Sequence, residues 1–415
     1  MTAALATPLS PVIAPSHDHP LLRADERATL ATISEFAHDV IAPGAAHRDA
    51  IEKGDLAWDI VEQGHAIGLL RMAMPQELGG HGLSNLAVAF ALEELAAADP
   101  GMALVFGATG LFQTPLLICG NTELQERYLT KFLGPAPVLA CNAVAEKLNG
   151  TDLVLPQNAP YAQSMTTAVR EGDSYLLTGT KRYITNAPVA TYATVMANID
   201  GHPGSTGMTC FVTDLEQPAV IRGEVHDKVG YRTAPAGELI FDGARVPAEN
   251  ILGDELGGWD LNVAIGNITR VTCASISTGI ARHALQRAID WSSQRLQSGA
   301  RLYEHQMSAR KFADMAARVS ASRALYIDAA VKSDNEIPTP AYEPAVAKLV
   351  ADRAAIDNAD AAMSLIGAQA FQREDGMDRV LRDAYGPRIY EGSPEALALV
   401  ITGELFGASE QVAYL

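Results

Sequence analysis

The 415-residue chain sets 31 Lys+Arg against 49 Asp+Glu, a formal charge of −18, with 48% hydrophobic and 19% charged residues. That balance excludes a disordered chain and supplies ample core material; the length alone suggests about two to three domains at ~150 residues each. The negative excess excludes a general nucleic-acid or anionic-membrane binder, for which the dominant phosphate term would be repulsive, yet leaves room for a small anion in a local basic pocket.

Residues 1–20, MTAALATPLSPVIAPSHDHP, hold no Lys or Arg and four prolines, which predicts a flexible lead-in and makes a poor signal peptide. Residues 21–137 read as a helical domain: apolar residues recur three and four apart, as in Leu86–Ala98 and Glu123–Phe132. Its breaks fall at Pro43–Gly44, at Pro75–Gln76–Glu77–Leu78–Gly79–Gly80, at Asp99–Pro100–Gly101 and at Gly134–Pro135. Gly101–Gly120 carries no charge, but Pro115, Gln113, two threonines and four glycines favour a buried helix over a membrane span. Residues 138–252 change texture to short Val-, Thr-, Tyr- and Ile-rich runs separated by turn pairs such as Glu171–Gly172–Asp173 and Asp242–Gly243. Tyr175–Leu177, Ala193–Met196 and Met208–Val212 read as strands of an antiparallel β domain. From residue 253 to the end the helical pattern returns, with long amphipathic segments at Val263–Arg295, His305–Ser333 and Pro344–Ala370. The predicted fold class is therefore multidomain α+β, in the order helical, β, helical.

Cys119, Cys141, Cys210 and Cys273 show no paired spacing, so a reduced, cytoplasmic protein without disulfides is expected. There is no GxSxG elbow, no GxxxxGK[ST] loop, no HExxH and no GxGxxG opening a βαβ unit. Gly79–Gly80–His81–Gly82 reads as a turn between helices. His17 and His19 lie in a Pro-rich terminus, and no metal site is expected from them or from the isolated histidines elsewhere.

One constellation carries chemistry. In Arg382–Asp383–Ala384–Tyr385–Gly386–Pro387–Arg388–Ile389–Tyr390–Glu391–Gly392–Ser393, Glu391 follows two apolar-bodied residues and could project into an apolar cavity, where burial would suit a carboxylate to general-base work. The stretch resembles the C-terminal signature of the acyl-CoA dehydrogenase family. Lys181–Arg182–Tyr183–Ile184–Thr185–Asn186–Ala187 resembles that family's segment ending in Trp-Ile-Thr-Asn, Lys228–Arg232 and Arg245–Gly253 its strand and domain junction, and Pro75–Gly82 its first Pro-rich turn. The resemblance implies an N-terminal helical domain, a middle β domain and a C-terminal four-helix bundle, with FAD as cofactor. It also implies oxidation of an acyl thioester to its α,β-unsaturated form, with α-proton abstraction coupled to hydride transfer to flavin N5.

Carried over residue by residue, Glu391 matches the base, and its own N–H would be one donor to the thioester oxygen. Members that keep the base on a helix place it just before an Arg; here that pair is Thr269–Arg270, and Thr269 cannot serve. Tyr183, Ile184 and Thr185 match the segment against the isoalloxazine, with Tyr in place of Trp. Thr151 and Ser393 match hydroxyls that touch FAD, and either could equally cap a loop. Arg295 and Gln306 match residues reaching the FAD of a neighbouring subunit, which implies a homo-oligomer, a dimer or the family's common tetramer.

Four departures cluster on the cofactor's distal half and the substrate mouth. The family's Thr-Glu-Pro is Ala145–Glu146–Lys147, its Phe-Gly is Ser298–Gly299, and its Gly-Gly-x-Gly turn is Gly367–Ala368–Gln369–Ala370, where added side chains are expected to crowd the backbone. About eight extra residues fall within Leu153–Met165. They leave the substrate as either acyl-CoA or an acyl-carrier protein, with an electron-transfer flavoprotein as the implied acceptor. A flavin monooxygenase on the same fold, and a non-catalytic partner subunit, are the competing readings; the intact Ile389–Tyr390–Glu391–Gly392 argues against the first, and the retained Glu391, Thr185 and Arg295 against the second.

Overall fold

The computed structural model describes residues 17–153, 155 and 162–407. Most of the proposed lead-in, and the centre of the lengthened loop within Leu153–Met165, lie outside the described residues.

The N-terminal helices are α1 (Ala24–Phe36), the single turn α2 (Ala45–Arg48), α3 (Trp58–Ala66), α4 (Asn85–Ala98), α5 (Pro100–Cys119) and α6 (Thr122–Leu129). Their boundaries have visible causes. The Ser84 hydroxyl accepts from Ala87 N–H to open α4, and Asp99 accepts from Gly101 and Met102 N–H to open α5, with Pro100 in its first turn. The apolar α5 lies inside the domain, where the Gln113 amide donates to Leu70 C=O and Thr109 Oγ1 accepts from Ala140 N–H.

The middle domain holds β1 (Ala140–Ala143), β2 (Thr167–Glu171), β3 (Ser174–Thr185), β4 (Tyr192–Ile199), β5 (Met208–Asp214), β6 (Val220–Val225), β7 (Ala236–Pro247) and β8 (Ile251–Leu252). The sheet order is β6-β7-β3-β2-β4-β5-β8, with β1 pairing β4. Pairing is antiparallel except that β1 and the start of β2 run parallel to β4.

The C-terminal domain comprises α7 (Gly258–Gln294), α8 (Gln306–Asn335), α9 (Tyr342–Ile366), α10 (Met377–Asp383) and α11 (Pro394–Phe406), with a small hairpin of β9 (Leu296–Gln297) and β10 (Ala300–Arg301) between α7 and α8. One apolar core runs through both helical domains, and a second lies within the sheet. At the α4–α7 crossing a Cβ on Gly279 would come within 2.5 Å of Glu93 C=O, so only glycine permits this approach. Beside it Glu93 and Glu94 of α4 pair with Arg282 of α7, and Arg323 and Tyr326 of α8 also bond Glu93, all of them buried or nearly so. Desolvated charges of this kind hold their elements in register, since losing one partner strands the other.

Candidate active site

Glu391 sits in the turn between a 3-10 turn at Gly386–Arg388 and α11, with φ +55°, followed by Gly392 at φ +100°. A left-handed glutamate is a strained conformer that persists only where its surroundings over-determine it. The Thr269 hydroxyl of α7 lies within donating distance of two acceptors, Glu391 Oε2 at 2.8 Å and Ile265 C=O at 3.0 Å, and its single proton serves the shorter bond to the carboxylate. Arg270 Nε donates to the Glu391 carbonyl at 3.3 Å, and its Nη1 to Asn267 Oδ1 at 2.9 Å. The Glu391 N–H donates to nothing among the described residues.

The expectation of an apolar cavity around this carboxylate needs correction. Ile389 points outward, 76% exposed, and Glu391 is half-buried on a wall that offers hydrogen bonds. Only Tyr390 turns in, edge-to-face with Tyr231 at 6.1 Å, the two hydroxyls 3.4 Å apart. Gly386 makes room for that pair, since a Cβ there would fall 1.8 Å from the Tyr231 ring. Burial pushes both phenols and the nearby Cys273 thiol well above their usual values, so all three stay protonated. Asp352, the other carboxylate at this turn, has both oxygens engaged, by Lys348 Nζ at 2.6 Å and by the Ser277 hydroxyl at 2.7 Å. Glu391 Oε1, by contrast, accepts no hydrogen bond among the described residues.

Tyr183 and Thr185 lie at the end of β3, where the register with β7 shifts between Lys181 and Ile184. The bulge puts Tyr183 at φ +66° and turns its ring outward, 59% exposed, tilted against His226 at 5.2 Å with the Arg182 guanidinium 5.3 Å over its face. Thr185 is half-buried beside Asn186, whose amide donates to Val105 and Ala140 C=O.

Two residues that the sequence reading passed over anchor this edge. Lys181 is fully buried and donates to Glu146 Oε1 at 2.8 Å, to Val144 C=O at 2.9 Å and to Ser164 Oγ at 3.1 Å. Glu146 also accepts from the Thr166 and Met165 N–H groups, two hydroxyls and Asn149. Burial by itself would raise its carboxyl, but Lys181 and these donors reverse the effect and hold it at about 2. The signal was present: Tyr175, Leu177, Gly179 and Lys181 alternate onto one face of β3, which places a lysine inside.

Thr151 is exposed on a 3-10 turn next to that loop. Ser393 caps α11, its Oγ accepting from Ala396 N–H, and its hydroxyl also bonds the Glu395 carboxylate in the first turn of that helix. Arg295 lies just past α7 and Gln306 opens α8; both are exposed, and neither side chain has a hydrogen bond or ion pair among the described residues. Among the described residues no hydrogen bond or ion pair links them to Glu391 or β3. Gly367, at φ +74° with no atom within 4 Å of a notional Cβ, borders an open depression of ≈ 470 Å³ lined also by Asp360, Met363, Ala368 and Phe371. At this turn Ala368 and Gln369 are exposed and Ala370 is buried.

Comparison with known proteins covers nearly the whole chain. Models of the acyl-CoA dehydrogenase N-terminal, middle and C-terminal domains match residues 23–134, 141–244 and 257–406. The human mitochondrial short-chain specific acyl-CoA dehydrogenase is 34% identical, over 91% of this chain and 89% of its own. Among solved structures, butyryl-CoA dehydrogenase from Megasphaera elsdenii superposes with TM-score 0.86 at 30% identity, covering 92% of this chain and 98% of that one. A chain from the electron transferring flavoprotein structure of Acidaminococcus fermentans gives 0.86 at 30%, covering 93% and 98%. The prolyl acyl carrier protein oxidase AnaB gives 0.82 at 25%, covering 93% and 100%.

Proposed function

The chain belongs to the acyl-CoA dehydrogenase family, whose members are FAD-dependent flavoproteins, and from that premise we propose that it desaturates an acyl thioester between its α and β carbons with Glu391 as the base. The observation that carries this reading is that Glu391 combines a Thr269-bonded carboxylate with an unengaged N–H. A thioester α-proton is too weakly acidic to remove unless its carbonyl oxygen is held as charge develops there. Glu391 supplies both functions from one residue: the N–H holds the oxygen while the carboxylate takes the proton. Arg270, on the Glu391 carbonyl, and Thr269, on its carboxylate, fix the two groups relative to each other.

FAD, when bound, supplies the acceptor for the hydride leaving the β-carbon. The chain's residues fit it. Tyr183 offers a flat exposed ring for the flavin edge, and Thr185, Thr151 and Ser393 offer hydroxyls. Arg295 and Gln306, without a side-chain partner among the described residues, fit contact with the pyrophosphate and adenine held by a neighbouring subunit, which makes the enzyme a homo-oligomer, a dimer or tetramer. The open Gly367 turn admits the close approach of that cofactor's tail. We place the enzyme in the cytoplasm, supported by four unpaired cysteines, with an electron-transfer flavoprotein as its acceptor. Relatives named for both CoA thioesters and an acyl carrier protein support either carrier as substrate.

The test is the visible spectrum of the purified protein before and after anaerobic addition of acyl-CoA and acyl-carrier thioesters. Bound flavin is expected to bleach with one thioester class. Glu391→Gln is expected to retain the flavin and to bleach at least about 10²-fold more slowly, the lower end of what a positioned base contributes. Equal rates in the variant would remove Glu391 from this role, and protein purified without flavin would favour a partner subunit.

A further inference from the structure

We propose that Lys348 is a positioning residue for the Glu391 turn, and this inference rests on the reading of Glu391 as the base. Lys348 of α9 has no solvent exposure, and its ammonium has three donors, each with a partner. One meets Asp352 Oδ2 at 2.6 Å, one Pro387 C=O at 2.6 Å and one Gly392 C=O at 3.1 Å. The two carbonyls lie on either side of Ile389–Tyr390–Glu391, so a single cation draws together the two ends of the segment that carries the base. The ammonium also lies 5.8 Å over the Tyr390 ring. Asp352 is tied to α7 through the Ser277 hydroxyl, and α7 also carries Thr269 and Arg270.

The physical need is specific. Glu391 at φ +55° and Gly392 at φ +100° form a turn that does not hold itself, because a glutamate gains nothing from the left-handed region. The turn has no helix ladder around it, and Thr269 and Arg270 grip only Glu391. Lys348 fixes the backbone before and after that residue, and with it the direction of the Glu391 N–H. A displacement of about 1 Å at such a group costs a reaction up to about 10²-fold. A buried ammonium fits this task because it can bond several carbonyls at once while a neighbouring carboxylate balances its charge.

Lys348→Met alone would strand Asp352 in the interior and could fail to fold. The informative variant is therefore the double apolar replacement Lys348→Met with Asp352→Leu, which removes both buried charges together. It is compared with wild type as the flavin-loaded full-length protein. Two readouts are taken: steady-state kinetics with the thioester that bleaches the wild type, and amide hydrogen exchange of the 386–393 segment without substrate. The expected result is unchanged flavin content, a modestly lower thermal midpoint because Pro387 and Gly392 C=O lose their donor, kcat lower by about 10- to 100-fold with KM within about threefold, and faster exchange in 386–393 but not in α9. Wild-type kcat and unchanged exchange in the double variant would overturn the proposal and leave the lysine a structural charge only. Exchange is read without turnover, so failure of the wild type to bleach would count against the dehydrogenase reading while the exchange result still decides the role of Lys348.

Discussion

Thr269, which the resemblance aligns with the helix position of the base in some members of the family, cannot take a proton, yet it is not a spectator. Its hydroxyl reaches the carboxylate proposed as the base, 122 residues away in sequence. A hydrogen bond to a charged group contributes about 1.5–3 kcal/mol, and what matters here is how much of that orients the carboxylate toward the α-proton. Thr269→Val keeps the shape and removes the donor. Its kcat is expected to fall by about tenfold, roughly 1.4 kcal/mol of lost transition-state stabilisation, with the flavin spectrum intact. Stopped-flow reduction of the flavin under anaerobic conditions measures this directly; an unaltered rate would mean that Arg270 and the turn alone orient Glu391. Glu391 as a candidate was legible, because a Glu between an aromatic and a glycine sits inside a long motif. Its left-handed backbone, its free N–H and the polar wall were not, since each is set by α7 or α9 rather than by neighbours in sequence.

At the scale of elements, β3 shows where reading a sequence stops. Its strand character follows from its β-branched and aromatic content, but its outward Tyr183 does not: alternation from Lys181 would turn that ring inward, and the bulge between Lys181 and Ile184 turns it out. Nor does the partner of its inward lysine: Glu146 lies 35 residues upstream in a loop without periodicity, and the pair exists only when β3 folds against that loop. The loop also carries Thr151, and β3 carries Tyr183 and Thr185, so the pair joins two sets of residues proposed to hold the cofactor. Lys181→Met is expected to destabilise the protein by about 3–5 kcal/mol by leaving Glu146 buried and unpaired, and to lower flavin content in parallel. Lys181→Met with Glu146→Gln is expected to recover much of the thermal midpoint. The pH dependence has a definite sign. A carboxyl held at about 2 when folded contributes stability that is present above about 4.5 and is lost as pH falls toward 2. Acid release of flavin from the wild type should therefore fall within that window, and the double variant should lack this component. Flavin retention by Lys181→Met at wild-type levels would separate the pair from the cofactor.

For the molecule as a whole, the order helical, β, helical was legible from texture alone, whereas the ion network that locks the three domains together was not. Asp99 caps α5, accepts from Thr233 Oγ1 of the middle domain at 2.8 Å, and lies 3.9 Å from Arg379 of α10. Asp383 of α10 accepts from Tyr231 N–H at 2.6 Å and faces Arg379 at 3.4 Å, while Arg382 meets Asp49 at 2.5 Å. Burial pushes the Asp383 carboxyl up to about 7, aided by Asp99 and Asp49 and opposed by Arg379 and the Tyr231 N–H. His283 of α7 borders the same small cavity as Asp383 and Arg379, and burial together with Arg379 holds it down at about 3.

These two shifts act on stability with opposite signs. Between about pH 4 and 7 the folded state keeps a proton on Asp383 that the unfolded chain has lost, so this contribution falls as pH rises. Between about pH 3 and 6.5 the unfolded chain protonates His283 and the folded state does not, so that contribution rises with pH. Each slope is at most about 1.4 kcal/mol per pH unit, so from about pH 4 to 6.5 they offset each other in the wild type. Single variants should uncover them. Asp383→Asn leaves His283 alone, and its stability is expected to fall relative to wild type as pH is lowered from 6.5 to 4.5. His283→Asn leaves Asp383 alone, and its stability is expected to fall relative to wild type as pH is raised from 4.5 to 7. Denaturant midpoints across pH 4.5–7.5 for the three proteins measure both slopes. Parallel curves would mean that Asp383 stays ionised against Arg379 throughout, and that the junction is held by a permanent ion pair rather than by a shared proton.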